Sequence, residues 1–218
     1  MRFALLLVLV TLLGGLAAFY ARGRGAQSAQ TAPQADPALL LPVEALAADE
    51  AARYQRVAVV PYDLPRYAFS ILIPQGWRWR RFDLSRVERS EDDRRPIAMA
   101  EFGPPEGDAA ESRVLLEARY VRVPEHVTLS RFIDVYAAQS EFTIVTRATH
   151  RADGVDVEEA LLRVTSAQLG PYLLRLSVRR SGPLLFLVAG SALEDQYPRW
   201  RHTLALAALS FKPGAAQP

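Results

Sequence analysis

An uncharged apolar segment at the amino terminus constrains this chain more than any other feature. Phe3 to Tyr20 are eighteen consecutive residues without a charge; Arg2 precedes them, and Arg22 follows after Ala21. A cleaved signal peptide has an apolar centre of about 7–15 residues, whereas a spanning helix needs about 20. The segment falls between these lengths, so residues 1–24 are predicted to be a signal peptide or a signal anchor. The poor small-x-small cleavage sites favour the anchor.

The chain contains no cysteine, which limits both its attachment and its stabilisation. A lipid anchor is excluded because it requires an acylated cysteine, and disulfides are excluded with it. An exported domain without disulfides must be stable through packing alone, which about 150 residues can achieve. The predicted location is the periplasm, with the chain tethered to the inner membrane by residues 1–24, or secreted after cleavage.

Composition divides the rest of the chain into three parts. Residues 25–52 are rich in Ala, Gln and Pro and predict a linker, in which Pro42 suits the first turn of a short helix running to Tyr54. Residues 53–213 carry regular apolar patterns and predict a single α+β domain, because 218 residues accommodate one core. Residues 214–218 are predicted to be a flexible tail.

Period-two alternation predicts antiparallel strands in the first half of this domain. A strand with one buried face is predicted where apolar residues recur at Tyr67, Phe69, Ile71 and Ile73, before the turn at Pro74-Gln75-Gly76. Three more strands are predicted at 77–82, 97–102 and 114–123, in a meander. A helix is predicted from Leu129, where apolar residues recur at helical spacing and Thr128 suits the N-cap.

Two hairpins and a closing helix are predicted in the second half. Asp153-Gly154 suits a type I′ turn, which would place Arg151 opposite Asp156 and Val145 opposite Leu162. The second hairpin turns near Ser181-Gly182, and its unbroken apolar return strand from Leu184 to Ala189 is predicted to be central. Its first strand has an apolar face and a polar face, the latter formed by Arg175, Ser177 and Arg179. A helix from about Asp195 and a short strand at Leu209–Phe211 close the chain.

This order of elements resembles the PsbP-like family, which includes bacterial periplasmic DcrB-like proteins. Phe69–Trp77 (FSILIPQGW) looks like the family's opening strand and its Pro-x-Gly-Trp turn, and the segment around Leu209-Ser210-Phe211-Lys212 looks like its end. The resemblance covers residues 55–213. It implies an antiparallel sheet sandwiched by helices, in accessory or binding proteins without a shared catalytic residue. The lack of cysteine departs from lipid-anchored relatives.

Catalytic and nucleotide motifs are missing from the sequence. Lys212 is the only lysine, which excludes a Walker loop and a Ser-x-x-Lys dyad, and no Gly-x-Ser-x-Gly or His-Glu-x-x-His motif occurs. A net charge of +2 gives no cationic field that would attract nucleic acid. The chain is therefore predicted to be a non-enzyme without cofactor, metal or nucleic-acid partner.

Two groups of residues remain as candidate sites. His150 lies near three carboxylates whose spacing matches neither an EF-hand nor a zinc motif, and which suit an ordinary charged hairpin tip: Asp153, Asp156 and Glu158. The other two histidines are predicted in a loop and on the solvent side of the last helix (His126 and His202). A possible ligand or partner surface is formed by Trp77, Arg78, Trp79, Arg80 and Trp200.

The alternation of Trp and Arg has two interpretations. Such residues can stack on a ligand or bind anionic groups, and they also form an ordinary amphipathic strand with Trp77 and Trp79 on one face. The predicted function is a protein-binding or assembly module of the bacterial envelope. The alternative is a periplasmic domain that binds a small apolar or anionic ligand, with Trp79, Arg80 or Trp200 lining the pocket. A third hypothesis, an enzyme, requires the carboxylates near His150 to converge in a cleft.

Overall fold

The computed structural model describes Leu40 and residues 48–82, 96–105, 114–166 and 170–214. The predicted signal segment 1–24 and residues 215–218 of the predicted tail lie outside these described residues. Within the described ranges, no helix is long and apolar enough to cross a bilayer.

The described residues form ten strands and three α-helices. The strands are β1 (Tyr54–Val59), β2 (Phe69–Pro74), β3 (Arg78–Arg81), β4 (Ile97–Gly103), β5 (Leu115–Arg122), β6 (Thr143–Ala152), β7 (Val155–Ser166), β8 (Gly170–Ser181), β9 (Leu184–Leu193) and β10 (Lys212–Pro213). The helices are α1 (Ala48–Ala51), α2 (Leu129–Gln139) and α3 (Tyr197–Ser210). Two short 3-10 turns, Pro61–Asp63 and Pro65–Tyr67, connect β1 to β2.

The strands form two antiparallel sheets. The larger sheet has seven strands in the order β3-β4-β5-β9-β8-β7-β6, and the smaller has three in the order β1-β2-β10. Strand β9 is the middle strand of the seven, so its predicted central position is confirmed. Central strands are covered on both faces, which explains the unbroken apolar run of β9.

The first-half meander is only partly correct. Strands β3, β4 and β5 do follow one another, but β2 pairs with β1 and β10 in the smaller sheet. Gly76, with φ of +82°, turns the chain after β2, and β3 then joins the other sheet. Strand β1 was not predicted, because its half-exposed residues carry no clear alternation. The predicted short helix reduces to Ala48–Ala51 among the described residues, and Tyr54 opens β1 instead.

Helices cover both faces of the larger sheet. Helix α2 packs on one face through Phe132, Ile133 and Tyr136, against apolar residues of β7, β8 and β9. Helix α3 and the smaller sheet cover the opposite face, where Phe69 and Phe211 stack with ring centroids 4.9 Å apart. The predicted architecture, an antiparallel sheet sandwiched by helices, is confirmed.

The N-terminal cap of α2 is as predicted, whereas the C-terminal end of α3 is not. The hydroxyl of Thr128 accepts a hydrogen bond from the Arg131 N–H at 3.1 Å, so the predicted N-cap is confirmed. The expected strand at Leu209–Phe211 is wrong, because α3 continues through Ser210. The short final strand begins at Lys212, which lies opposite Ser70 of β2.

The β6–β7 hairpin confirms one predicted pair and corrects the other. Asp153 and Gly154 have φ of 52° and 79°, as a type I′ turn requires, and Arg151 lies opposite Asp156. Leu162 lies opposite Ile144 rather than Val145, because the register shifts between Ile144 and Thr146. A β-bulge adds one residue to a strand, and sequence alternation alone does not reveal it.

Candidate functional site

The predicted Trp and Arg surface begins at an edge of the larger sheet. Strand β3 is the terminal strand, and all four of its residues are exposed. Trp79 is 42% exposed, and its ring stacks on Phe102 with centroids 6.4 Å apart. An exposed tryptophan offers a large ring for contact with a partner, and tryptophan is enriched among the residues that dominate binding energy at protein interfaces.

Guanidinium groups flank Trp79 and take part in exposed ion pairs. Arg80 Nε lies 2.5 Å from Glu101 Oε1, and Arg81 Nη1 lies 2.6 Å from Asp63 Oδ1. Ion pairs in water contribute about 0–1 kcal/mol, so a partner can exchange them at little cost. The edge therefore presents an apolar ring among exchangeable charges.

The five residues predicted as one surface do not lie together. Trp77 is only 7% exposed, and its ring centroid lies 5.8 Å from that of Trp200 on α3. Trp77 is buried and Trp200 is partly buried, and their contact joins helix α3 to the turn before β3. The exposed part of the predicted surface is therefore Arg78, Trp79 and Arg80.

The carboxylates near His150 each have their own basic partner. Asp153 pairs with Lys212 at 3.1 Å, and Asp156 pairs with Arg151 at 3.2 Å. Glu158 lies 3.7 Å from Arg147. Among the described residues, no three His, Asp or Glu side chains lie close enough together to hold a metal ion.

His150 lies on the opposite face of the sheet from Asp156 and Glu158. It faces Val157 across the hairpin, and successive residues of a strand point to opposite faces. Burial lowers the pKa of His150, and the nearby Glu159 carboxylate opposes that shift. The enzyme hypothesis requires the three carboxylates to converge in a cleft, whereas each of them pairs with a different basic residue.

Sequence reasoning missed a buried ion pair beneath α3. Arg175 of β8 donates to both carboxylate oxygens of Glu159 on β7, from Nε at 3.0 Å and from Nη2 at 2.5 Å. Arg175 and Glu159 are each 1% exposed. Tyr197 of α3 covers the pair, and burial raises the pKa of its hydroxyl while the Arg175 guanidinium opposes that shift.

The next arginine on that face binds the end of α3. Arg179 donates to the carbonyl oxygen of Ala208 at 2.7 Å and to that of Phe211. A cation at a helix C-terminus satisfies carbonyls that have no partner within the helix and interacts favourably with the helix dipole. The polar face of β8 therefore positions α3, and the sequence signal was its alternation of Arg175, Ser177 and Arg179.

A second buried pair lies on the opposite face, on β5, which β4 separates from the edge strand β3. Arg119 donates to Glu117 at 2.8 Å, and both side chains are buried. Burial raises the pKa of Glu117, and the Arg119 charge opposes that shift. Glu117 lies opposite Glu101, which in turn lies opposite Arg80, so one row of charges runs from the core to strand β3.

The other two histidines are exposed. His126 lies in the loop before α2, as predicted. His202 is on the solvent side of α3, as predicted, and its Nε2 lies 2.7 Å from Glu50 Oε1. This contact joins helix α1, which lies within the predicted linker, to α3.

Comparison with known proteins identifies the fold. No family model matches the sequence, and no curated protein matches it. The solution structure of cyanobacterial PsbP (CyanoP) from Synechocystis sp. PCC 6803 is similar, with a TM-score of 0.51 and 17% identity over 79% of this chain and 99% of that one. LpqN of Mycobacterium tuberculosis, involved in cell envelope biogenesis, gives a TM-score of 0.47 and 10% identity over 73% of this chain and 90% of that one.

The fold is thus that of the PsbP-like proteins. The similarity to CyanoP extends over nearly the whole of that chain, and it confirms the predicted resemblance at the level of the fold. Folds of this kind carry many functions, so the function must be argued from the surface described above.

Proposed function

We propose that this chain is a non-enzymatic accessory domain of the bacterial envelope, which binds a protein partner at strand β3. The observation that carries the proposal is Trp79, which is 42% exposed on an edge strand and lies among arginines. Tryptophan and arginine are enriched among the residues that dominate binding energy at protein interfaces. A partner that covers Trp79 would remove its indole from water.

Three further features support this role. The apolar segment Phe3–Tyr20 favours export and attachment to the inner membrane, and the PsbP-like fold suits an extracytoplasmic accessory domain. The carboxylates near His150 are neutralised by separate basic partners, which suits a structural hairpin tip better than an acid–base site. The small-ligand alternative is less favoured because Trp77 and Trp200 pack against each other.

Co-purification of the full-length chain from gently solubilised membranes tests this proposal. We expect Trp79→Ala to reduce recovery of a specific envelope protein by about tenfold or more, as truncating a dominant interface residue does. Val155→Ala is the matched control, because Val155 is 38% exposed on strand β7, away from the β3 edge. It should leave recovery unchanged.

The recovery of envelope proteins with these variants distinguishes protein binding at β3 from small-ligand binding. Loss of the same protein in both variants would indicate general adhesion to apolar surface and would contradict a site at β3. A chain that purifies alone in every case would contradict protein binding and favour the small-ligand alternative.

A further inference from the structure

The open side of β3 has the backbone geometry of a docking edge. Among the described residues, β3 pairs with β4 alone. The Phe82 N–H, just after β3, donates to the Met99 carbonyl oxygen at 3.0 Å. In an antiparallel ladder, successive residues direct their backbone groups alternately toward the paired strand and away from it. By this alternation, the N–H and C=O groups of Trp79 and Arg81 point to the open side.

The opposite edge of the sheet is less suited to pairing. Strand β6 contains a register shift between Ile144 and Thr146, and such bulges disrupt the regular edge of a sheet. Strand β3 pairs with β4 without any shift, from Arg78 opposite Gly103 to Arg81 opposite Ala100. Its edge is therefore short but regular.

We propose that an extended segment of the partner protein adds to β3 as a further strand of the seven-stranded sheet. The inference rests on the proposed function and specifies how the partner is recognised. The segment carries acidic residues opposite Arg78 and Arg80, and a large apolar residue between them, opposite Trp79. Neighbouring strands pair residues that lie directly opposite, so alternation on β3 selects matching alternation on the partner.

Charge at the edge favours an acidic segment. Arg80 pairs with Glu101 and Arg81 pairs with Asp63, yet the side chains of these arginines remain 55% and 44% exposed, so their guanidinium groups stay accessible to a partner. Glu101 lies on β4, so it approaches Arg80 from the paired side and leaves the open side for a second carboxylate. Opposite charges across two strands contribute favourably to pairing.

The same charges disfavour a second copy of this chain as the occupant. Antiparallel pairing of two β3 strands through their open sides would align Trp79 with Trp79 or with Arg81, which sets Arg78 opposite Arg80, or Arg80 opposite Arg80. Like charges directly opposite each other destabilise a strand pair, and charged edge residues commonly prevent such self-association. These charges therefore oppose pairing between two copies of β3 and favour pairing of β3 with an acidic segment.

Two variants at one position test strand addition. Arg81→Ala removes the side chain and keeps the outward N–H, whereas Arg81→Pro removes both. Proline is tolerated on an edge strand where the N–H faces away from the sheet, so the domain should still fold. The probe is a fluorescent eight-residue peptide of alternating Glu and Val, added to the detergent-solubilised full chain and followed by anisotropy.

We expect Arg81→Pro to bind this peptide at least about fivefold more weakly than Arg81→Ala, because one interstrand hydrogen bond is lost. Binding should weaken as salt rises, and a peptide of alternating Lys and Val should not bind. In the unaltered chain, the peptide should slow amide hydrogen exchange at Trp79 and Arg81. Equal affinity for the two Arg81 variants, or equal affinity for both peptides, would overturn the proposal.

Failure here is distinguishable from failure of the proposed function. If Trp79→Ala abolishes partner recovery while Arg81→Pro behaves as Arg81→Ala, the partner contacts β3 through side chains and strand addition is wrong. If neither Trp79→Ala nor Arg81→Pro has an effect, both proposals fail. Thermal unfolding of Arg81→Pro, followed by circular dichroism, verifies that any loss of binding occurs in a folded domain.

Discussion

At the scale of single residues, the Arg175–Glu159 pair beneath α3 is the most deeply buried ion pair among the described residues. The Arg175–Glu159 pair is removed from water on all sides, with side chains 1% and 2% exposed. Removing one partner of such a pair leaves an unpaired buried charge, at a cost of about 3–5 kcal/mol, whereas replacing both with apolar residues is often neutral. The main energetic consequence of the pair is therefore that neither charge can stay buried without the other.

We predict that Glu159→Gln destabilises the domain by about 3–5 kcal/mol, because Arg175 then lacks its counter-charge. The double variant Glu159→Leu with Arg175→Met should be more stable than the single one. Urea unfolding of both variants measures the difference in free energy of unfolding. A cost below about 1 kcal/mol for Glu159→Gln would contradict burial of the pair, since that is the range of exposed ion pairs.

Residue alternation predicted which side chains share a strand face, but not which faces are buried. The sequence correctly separated Arg175 and Ser177 from the apolar face of β8. It did not reveal that α3 covers this polar face as well, because that depends on a contact between distant segments. The same limit applies to Trp77, whose alternation with Trp79 gave no sign that Trp200 would bury it.

At the scale of elements, the close packing of helix α3 against the larger sheet depends on one glycine. A Cβ at Gly190 of β9 would lie 2.7 Å from Leu204 Cδ2 of α3, closer than side chains pack. Glycine in a strand commonly marks such a close approach. The helix therefore rests directly on the backbone of β9, while Arg179 binds its C-terminal end.

We predict that Gly190→Ala lowers the free energy of unfolding by about 1–3 kcal/mol, because the added methyl overpacks the contact with Leu204. Gly103→Ala is the matched control, since its Cβ would meet only the Val114 carbonyl oxygen at 3.7 Å, an ordinary distance. Chemical denaturation of both variants measures the difference. If the two variants lose the same stability, the cost comes from strand conformation rather than from α3.

Elements with local signals were predictable, and those that depend on distant partners were not. The Asp153-Gly154 turn and the Thr128 cap followed from residue chemistry within a few positions. Strand β1 and the bulge after Ile144 did not, because their form depends on the strands that they pair with. The exposure of Trp79 depends on its place at a sheet edge, which the sequence did not specify.

At the scale of the whole molecule, one residue of the predicted linker contacts the core. Leu40, within the predicted linker, is 5% exposed and packs against the main apolar cluster. Residues 25–39 therefore remain to connect the apolar segment to the domain, and an extended chain of that length spans at most about 50 Å. A domain on such a short tether would meet partners close to the membrane, where the edge of β3 could bind them.

We predict that residues 1–24 hold the full chain in the inner membrane without being cleaved. Because the uncharged, mostly apolar segment Phe3–Tyr20 would be buried in lipid, the chain should stay in the membrane fraction after washing with high salt, which removes only charge-mediated attachment. Mass spectrometry should find the intact amino terminus. A variant lacking residues 1–24 should be soluble and keep the same thermal transition.

A shortened chain in the soluble periplasm would instead identify the segment as a signal peptide, and partner binding at β3 would then act without a tether.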